Sequence, residues 1–94
     1  MSKTIYELIL HREAEREIRR LPGTIKPRII KAIDGLAQEP QPPGARPLHG
    51  RKGAYRLRVA DYRIVYEIHV TEVVVYIVGV AHRKEVYRRM LRRR

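Results

Sequence analysis

Arginine supplies most of the chemistry this sequence could perform. Arg56 and Arg58 fall in the alternating stretch Tyr55-Arg56-Leu57-Arg58-Val59, so both point to one face of a strand. Arg63 lies in the next alternating stretch, Tyr62 to Ile68, beyond a tight turn at Ala60-Asp61. Adjacent strands run about 4.8 Å apart, which gathers three guanidinium groups on one patch, where they repel each other unless an anion sits among them. Solvated arginines on the outer face of a half-exposed strand would give the same pattern, and spacing alone does not choose. Tyr87 stands in a second basic run, Arg83-Lys84-Glu85-Val86-Tyr87-Arg88. On spacing alone, an aromatic packing the last helix against the sheet is the better account of it.

Other chemistries find no residues to carry them. There is no Cys, so no disulfide scaffold, thiol nucleophile or thiolate zinc site is available. His11, His49, His69 and His82 are scattered with no i, i+4 pair, and no metal site is expected. Gly44, Gly50 and Gly53 lack the helix and Lys-Ser or Lys-Thr of a phosphate loop. Beyond residue 4 the only hydroxyl side chains of Ser or Thr type are Thr24 and Thr71, so no Ser-His-Asp arrangement exists. The acids fall mostly on helix surfaces, which disfavours a paired-carboxylate site. No cofactor is implied.

Charge points to the kind of partner. The chain has 94 residues and a net charge of +11. Residues 1–50 carry 9 basic and 6 acidic side chains, residues 51–94 carry 12 and 4. So localised an excess fits a polyanion, either nucleic acid or an acidic protein segment. Hydrophobic residues make up 44%, enough for one modest core and too many for a disordered chain. The length allows a single domain, 1–94. No apolar run approaches the roughly 20 residues of a membrane span, and no secretory signal is visible at Met1-Ser2-Lys3-Thr4. A cytoplasmic protein without membrane attachment is expected.

The elements that must hold the arginines follow from periodicity. Residues 4–9 read as a short strand. Leu10, Ala14, Ile18 and Leu21 form the stripe of an amphipathic helix ended by Pro22-Gly23. A second helix carries Ile25, Ile29, Ile33 and Leu36, with Thr24 as its cap and Pro27 in its first turn. The two should form an antiparallel hairpin. Residues 39–47 hold four of the six prolines and read as an extended loop. Strands follow at 54–60, 62–68 and 73–80, the last apolar throughout and therefore central. Val86, Met90 and Leu91 fit a short docked helix before a basic tail. The class is α+β: an N-terminal strand, a two-helix hairpin, a three-stranded antiparallel continuation of the sheet and a short C-terminal helix. Helices on one face leave the other face of the sheet concave or partly open.

The runs Leu48-His49-Gly50, Tyr55-Arg56-Leu57-Arg58-Val59, Asp61-Tyr62-Arg63-Ile64-Val65-Tyr66 and Val80-Ala81-His82-Arg83-Lys84-Glu85-Val86-Tyr87 together resemble the RelE toxins of bacterial and archaeal toxin–antitoxin pairs. The resemblance extends over nearly the whole chain, helical hairpin included. It implies a fold similar to microbial ribonucleases. It also implies a metal-independent, ribosome-dependent endoribonuclease that cuts messenger RNA in the A site and so inhibits translation.

Carried onto this sequence, the resemblance assigns the site to Arg56, Arg58, Arg63, Arg83 and Tyr87, with His82 beside them. Family members often carry lysine at one or both of the positions held here by Arg56 and Arg58. Arginine keeps its proton near neutrality, so these two are fitted to hold phosphate and are excluded as bases. The ribose 2′-OH would attack the adjacent phosphorus, giving a cyclic phosphate and a free 5′-OH. Tyr87 is the first choice of base, because surrounding cations favour phenolate, and His82 is the second. Lys52, Lys84, Arg88 and Arg89 would bind RNA, with Arg92, Arg93 and Arg94 adding to the positive surface. The partners implied are a RelB-like antitoxin, the ribosome and its mRNA, and operator DNA through the antitoxin complex. The alternative is a ParE-like toxin that inhibits DNA gyrase by protein binding and needs no catalytic set.

Overall fold

The computed structural model describes residues 3–82, 90, 92 and 93. Its order is β1 (Glu7–Leu10), α1 (Arg12–Arg19), α2 (Lys26–Leu36), β2 (Arg46–Pro47), β3 (Ala54–Val59), β4 (Tyr62–His69) and β5 (Val74–Ala81). The five strands form one sheet in the order β1-β5-β4-β3-β2. β1 runs parallel to β5, and every other pairing is antiparallel. The expected α+β class is therefore observed, with the apolar β5 in the sheet interior.

The helices form where their apolar stripes demand a partner. Ala14 from α1 and Ile29, Ile33 and Leu36 from α2 are buried against Leu57, Ile64, Tyr66, Val75, Ile77 and Val80 of the sheet. His11 caps α1, its Nδ1 accepting from the Glu13 backbone N–H at 3.0 Å. Glu13 and Glu15 lie in the first turn of α1 and Arg16 and Arg19 in the last, the order its dipole favours. Thr24 does not cap α2 as expected. The cap position is Ile25, which makes no side-chain cap bond, and Pro27 enters one residue into the helix. One helical turn at Pro22 precedes it, where the Ile25 and Lys26 N–H groups both bond to the Pro22 carbonyl, so an Ncap hydroxyl is not required.

Strand β5 feeds both faces of the sheet through a bulge. Its register with β4 passes from Val65↔Gly79 to Tyr66↔Ile77 and leaves Val78 as the extra residue. Ile77 and Val80 then face the helices, while Val78 and Ala81 join Leu48, Ala54, Val65 and Met90 in a second cluster on the opposite face. The face expected to be open is thus partly covered by Met90, which is fully buried. Gly79 makes this possible. A Cβ there would lie 2.7 Å from the Met90 methyl carbon and 2.5 Å from an Arg93 guanidinium nitrogen.

The proline-rich segment is fastened by two phenols, the Tyr55 hydroxyl accepting from Gln41 Nε2 at 3.3 Å. Tyr66 is fully buried, stacks on Tyr55 at 5.9 Å, and donates a 2.6 Å hydrogen bond to the Pro40 carbonyl. Residues 39–47, expected as a loop throughout, end in the short strand β2, which pairs with β3. Proline at Pro47 suits that edge position, where no ladder N–H is lost.

Two stability effects follow. Val73 holds φ 56°, a left-handed conformation that a β-branched residue seldom takes. Val73→Gly should raise unfolding free energy by about 1 kcal/mol in urea titrations, relief of strain exceeding the added chain entropy. Burial, reinforced by the neighbouring Tyr55, pushes the Tyr66 phenol up to about 12. The folded chain then keeps a proton that the unfolded chain loses above about pH 10. That stabilisation is complete below pH 10 and disappears as pH rises toward 12. Wild type should lose about 2 kcal/mol more stability than Tyr66→Phe between pH 9 and pH 11.5, read by denaturant melts at the two values.

Candidate anion-binding cleft

The hairpin of β3 and β4 sets the site. Val59↔Tyr62 closes it around Ala60-Asp61, and Arg58 then sits directly opposite Arg63. Ala60 adopts φ 55° to make so short a turn. Tyr55, Leu57 and Val59 pack toward the helices with Tyr62, Ile64 and Tyr66. Arg56, Arg58 and Arg63 therefore share the other face. The structure adds a fourth guanidinium that the sequence reading missed. Arg46 on β2 pairs in register with Arg56. Gly44, Arg46, Arg56, Arg58 and Arg63 line a cleft of about 240 Å³.

The cleft is cationic with almost no compensation. Arg58 Nε donates to the Ala60 carbonyl at 2.9 Å, and its Nη2 stands 3.9 Å from Asp61 Oδ1, with both side chains largely exposed. Such a contact contributes little in water. Among the described residues Arg46 donates only to the Ala45 carbonyl, at 3.3 Å. Among the described residues no carboxylate pairs with Arg46, Arg56 or Arg63. Like charges directly opposite across strands oppose folding. Four forked donors around a small cleft match the oxygens of a phosphate or carboxylate.

The other assigned residues are placed differently. His82 is exposed and packs edge-on against Tyr62, with ring centroids 5.0 Å apart. Tyr62 belongs to the helix-facing row, and His82 is not among the residues lining the arginine cleft. Lys52 is exposed in the turn before β3, beside Leu48, His49 and Arg51, and is not among the residues lining the arginine cleft. Arg83, Lys84, Tyr87, Arg88 and Arg89 lie outside the described residues, as do Val86, Leu91 and Arg94. β5 ends at Ala81, opposite Arg63, and Arg83 follows two positions on in the sequence.

Arg93 is a correction. The sequence reading gave it to an RNA-binding tail, but it is turned inward. Its Nη2 lies 2.8 Å from Glu17 Oε2, its Nη1 donates to Glu17 Oε1 at 3.1 Å and to the Val78 carbonyl at 3.0 Å, and only 14% of its side chain is exposed. Hydrogen bonding to Glu17 raises its affinity for the proton further. Sequence spacing offered no signal for a bond between residues so far apart.

A helical hairpin on one face of a twisted sheet and a cationic cleft on the other define a small toxin of the RelE/ParE class. Residues 8–87 match the sequence model described as ParE toxin of type II toxin–antitoxin system, parDE, and the chain belongs to that family. Its fold is similar to a doubly substituted variant of the E. coli toxin RelE in the free state, at 25% identity and TM-score 0.77, covering 93% of this chain and 95% of that one. It is similar to the RelBE2 toxin–antitoxin complex of Mycobacterium tuberculosis, at 29% identity and TM-score 0.71, over 84% of this chain and 99% of that one. It is also similar to the archaeal RelE–RelB complex of Pyrococcus horikoshii OT3, at 26% identity and TM-score 0.73, over 82% and 93%. No curated protein matches the sequence.

If the arginines are kept for an anion, removing one should stabilise the empty protein. Arg56→Gln should gain about 0.5 kcal/mol at low ionic strength through reduced repulsion. It should also show a smaller rise in melting temperature than wild type when pyrophosphate is added. Differential scanning fluorimetry in chloride and in pyrophosphate checks both.

Proposed function

We propose that this toxin is a ribosome-dependent mRNA endoribonuclease. The observation that carries the reading is the cleft of Arg46, Arg56, Arg58 and Arg63, a cluster of fixed charges with no carboxylate among the described residues to neutralise three of them. In-line attack of a ribose 2′-OH places extra negative charge on the phosphate oxygens. Fixed guanidinium donors meet that charge without reorganising, which is where electrostatic catalysis gains most. Arg63 and Arg58, opposite each other, would hold the scissile phosphate. Arg46 and Arg56 would hold a neighbouring one. None of the four can accept a proton near neutrality, so the base comes from elsewhere. Tyr87 and Arg83, known here only through their match to RelE toxins, supply base and further charge in this proposal. His82, engaged with Tyr62, remains the second candidate for base.

The ribosome enters because the arginine cleft binds charge but holds no acid–base pair among the described residues. RNA geometry supplied from outside then makes up the difference. Lys52, Lys84, Arg88 and Arg89 are the proposed contacts to RNA beyond the cleft. The similar structures that contain RelB support a RelB-like antitoxin as partner, which in this proposal neutralises the toxin and links the complex to operator DNA. The site of action is the cytoplasm, where translating ribosomes are. A second reading is favoured by the matching family model itself, which is named for ParE toxins. On that reading the cleft grips an acidic protein surface of DNA gyrase.

Purified protein added to programmed ribosomes should cut the A-site codon, leaving a cyclic phosphate and a 5′-OH. Arg63→Ala should slow cleavage about 100-fold or more, the loss seen when one transition-state donor is removed. The four cleft arginines predict a log–log salt slope for RNA binding near −3, and Arg46→Gln should reduce its size by about 0.7. Uncut mRNA together with inhibited supercoiling would overturn the nuclease in favour of the gyrase reading.

A further inference from the structure

The two edges of the sheet are guarded unequally. β2 forms one edge with two residues, one of them Pro47, which has no N–H to offer. β1 forms the other edge, and no described strand lies beyond it. Glu7 and His11 donate inward, to the Val73 and Ile77 carbonyls, each at 2.9 Å. Strand alternation therefore turns the backbone N–H and C=O groups of Tyr6, Leu8 and Leu10 outward. Tyr6 donates to the Ala37 carbonyl at 2.7 Å. The outward groups of Leu8 and Leu10 have no such partner among the described residues. β1 reads Glu7-Leu8-Ile9-Leu10 and carries no lysine, proline or bulge to blunt it. Both sides of this edge are apolar. Leu10 and Ile18 line a groove of about 350 Å³ on the helix side. Ile9, 40% exposed, shares a depression of about 370 Å³ with Val74 and Tyr76 on the opposite side.

The charge around the edge decides what fits it. Residues 5–20 carry four acids (Glu7, Glu13, Glu15, Glu17) and four arginines (Arg12, Arg16, Arg19, Arg20), a net charge of zero on a chain of +11. An acidic segment finds more attraction at the arginine cleft, and a basic one finds none here. A second copy of the same neutral, apolar edge meets no repulsion. We infer that β1 is the contact between two copies of this chain in the free toxin, paired antiparallel about a two-fold axis at Ile9. In that register Leu8 of each copy stands opposite Leu10 of the other, and each such pair exchanges both backbone hydrogen bonds. The Ile9 side chains then meet across the axis, and the leucines pair on the helix side, where such apolar contacts stabilise strand pairing. The contact is isologous and closed, so it stops at two copies. The two sheets become one continuous sheet, with both arginine clefts on the same face and at its far ends. The inference stands on the edge and its charge and does not depend on the nuclease reading.

The experiment joins analytical ultracentrifugation to cysteine crosslinking of the full chain. The mean mass of wild type should rise toward twice the monomer mass between about 1 and about 200 μM, the range of a small interface. Ile9→Lys should weaken association at least about 10-fold while keeping the wild-type far-UV spectrum, since charge on an edge strand opposes pairing without entering the core. The chain has no Cys, so a single introduced one reports a single contact. Across the axis the two Cα atoms of residue 9 would lie about 4.5 Å apart, within reach of a disulfide. Ile9→Cys should therefore link into a covalent dimer under mild oxidation with diamide. Ile5→Cys is the control: residue 5 is more exposed, at 58%, but lies away from the axis. It should link at least about 10-fold more slowly. Wild type that keeps the monomer mass at about 200 μM would overturn the inference, as would equal linking of the two cysteine variants or an unweakened Ile9→Lys. Ile9→Cys that links to a co-expressed RelB-like antitoxin in place of itself would give the edge to the antitoxin and overturn the second copy.

Discussion

The register of the β3–β4 hairpin is the constraint on which the rest depends. With Val59 opposite Tyr62, each arginine of the hairpin must lie on the face away from the helices. A slip of one residue would exchange the faces. The sequence is held against that slip by Leu57, Ile64 and Tyr66, all buried under the helices. Burying each such side chain contributes roughly 1.5–3 kcal/mol, whereas like charges directly opposite on a strand pair oppose pairing by roughly 1 kcal/mol or less. Burial wins by a wide margin. The helical hairpin is thus what makes a cluster of uncompensated arginines tolerable.

Charge is sorted along the strands as well as across them. Arg63 and Glu67 share one face of β4 four residues apart, a distance of about 13 Å. That exceeds the Debye length of about 8 Å at physiological ionic strength. Glu67 is moreover committed at its own end, to Arg51 and to His69 Nε2, each at 2.8 Å. Glu17 is committed to Arg93 and the edge of β5. Glu67 and Glu17 are therefore used to build structure, and among the described residues only the exposed Asp61, 3.9 Å from Arg58, stands beside the cleft arginines.

How much of this could be read from residues alone depended on the range of the interaction. The second helical stripe, the strand alternation and the facing of Arg56, Arg58 and Arg63 are local patterns that appear in the fold. Leu10, read as the start of the first helical stripe, instead ends β1, and the strand expected at 4–9 runs from Glu7 to Leu10. α1 keeps only Ala14 and Ile18 of that stripe. Local patterns failed where partners come from afar. β2 was hidden because two residues carry no period, so Arg46 went unnoticed although it pairs directly with Arg56. The bulge at Val78 was hidden because β5 is apolar on both faces and alternation gives no phase. Thr24 looked like a cap by type, yet a helical turn at Pro22 had already engaged the N–H groups it would have served. Arg93 looked like a solvated tail because composition does not distinguish one arginine in a run from the next. Only the meeting of α1 with the edge of β5 singles it out.

The choice of arginine at positions 56 and 58 bears on how the chemistry is divided. Lysine can lose its proton when desolvated and so can serve either as charge or as base; arginine keeps its charge at any pH the protein meets. A cleft built wholly of arginine holds its field constant and leaves every proton transfer to another group. In the proposed nuclease, the arginine face would then supply charge alone and the proton transfer would fall to a different part of the chain. The partly buried fork of Glu17 and Arg93 ties the edge of β5, through α1, to the same helical layer that fixes the arginines in place.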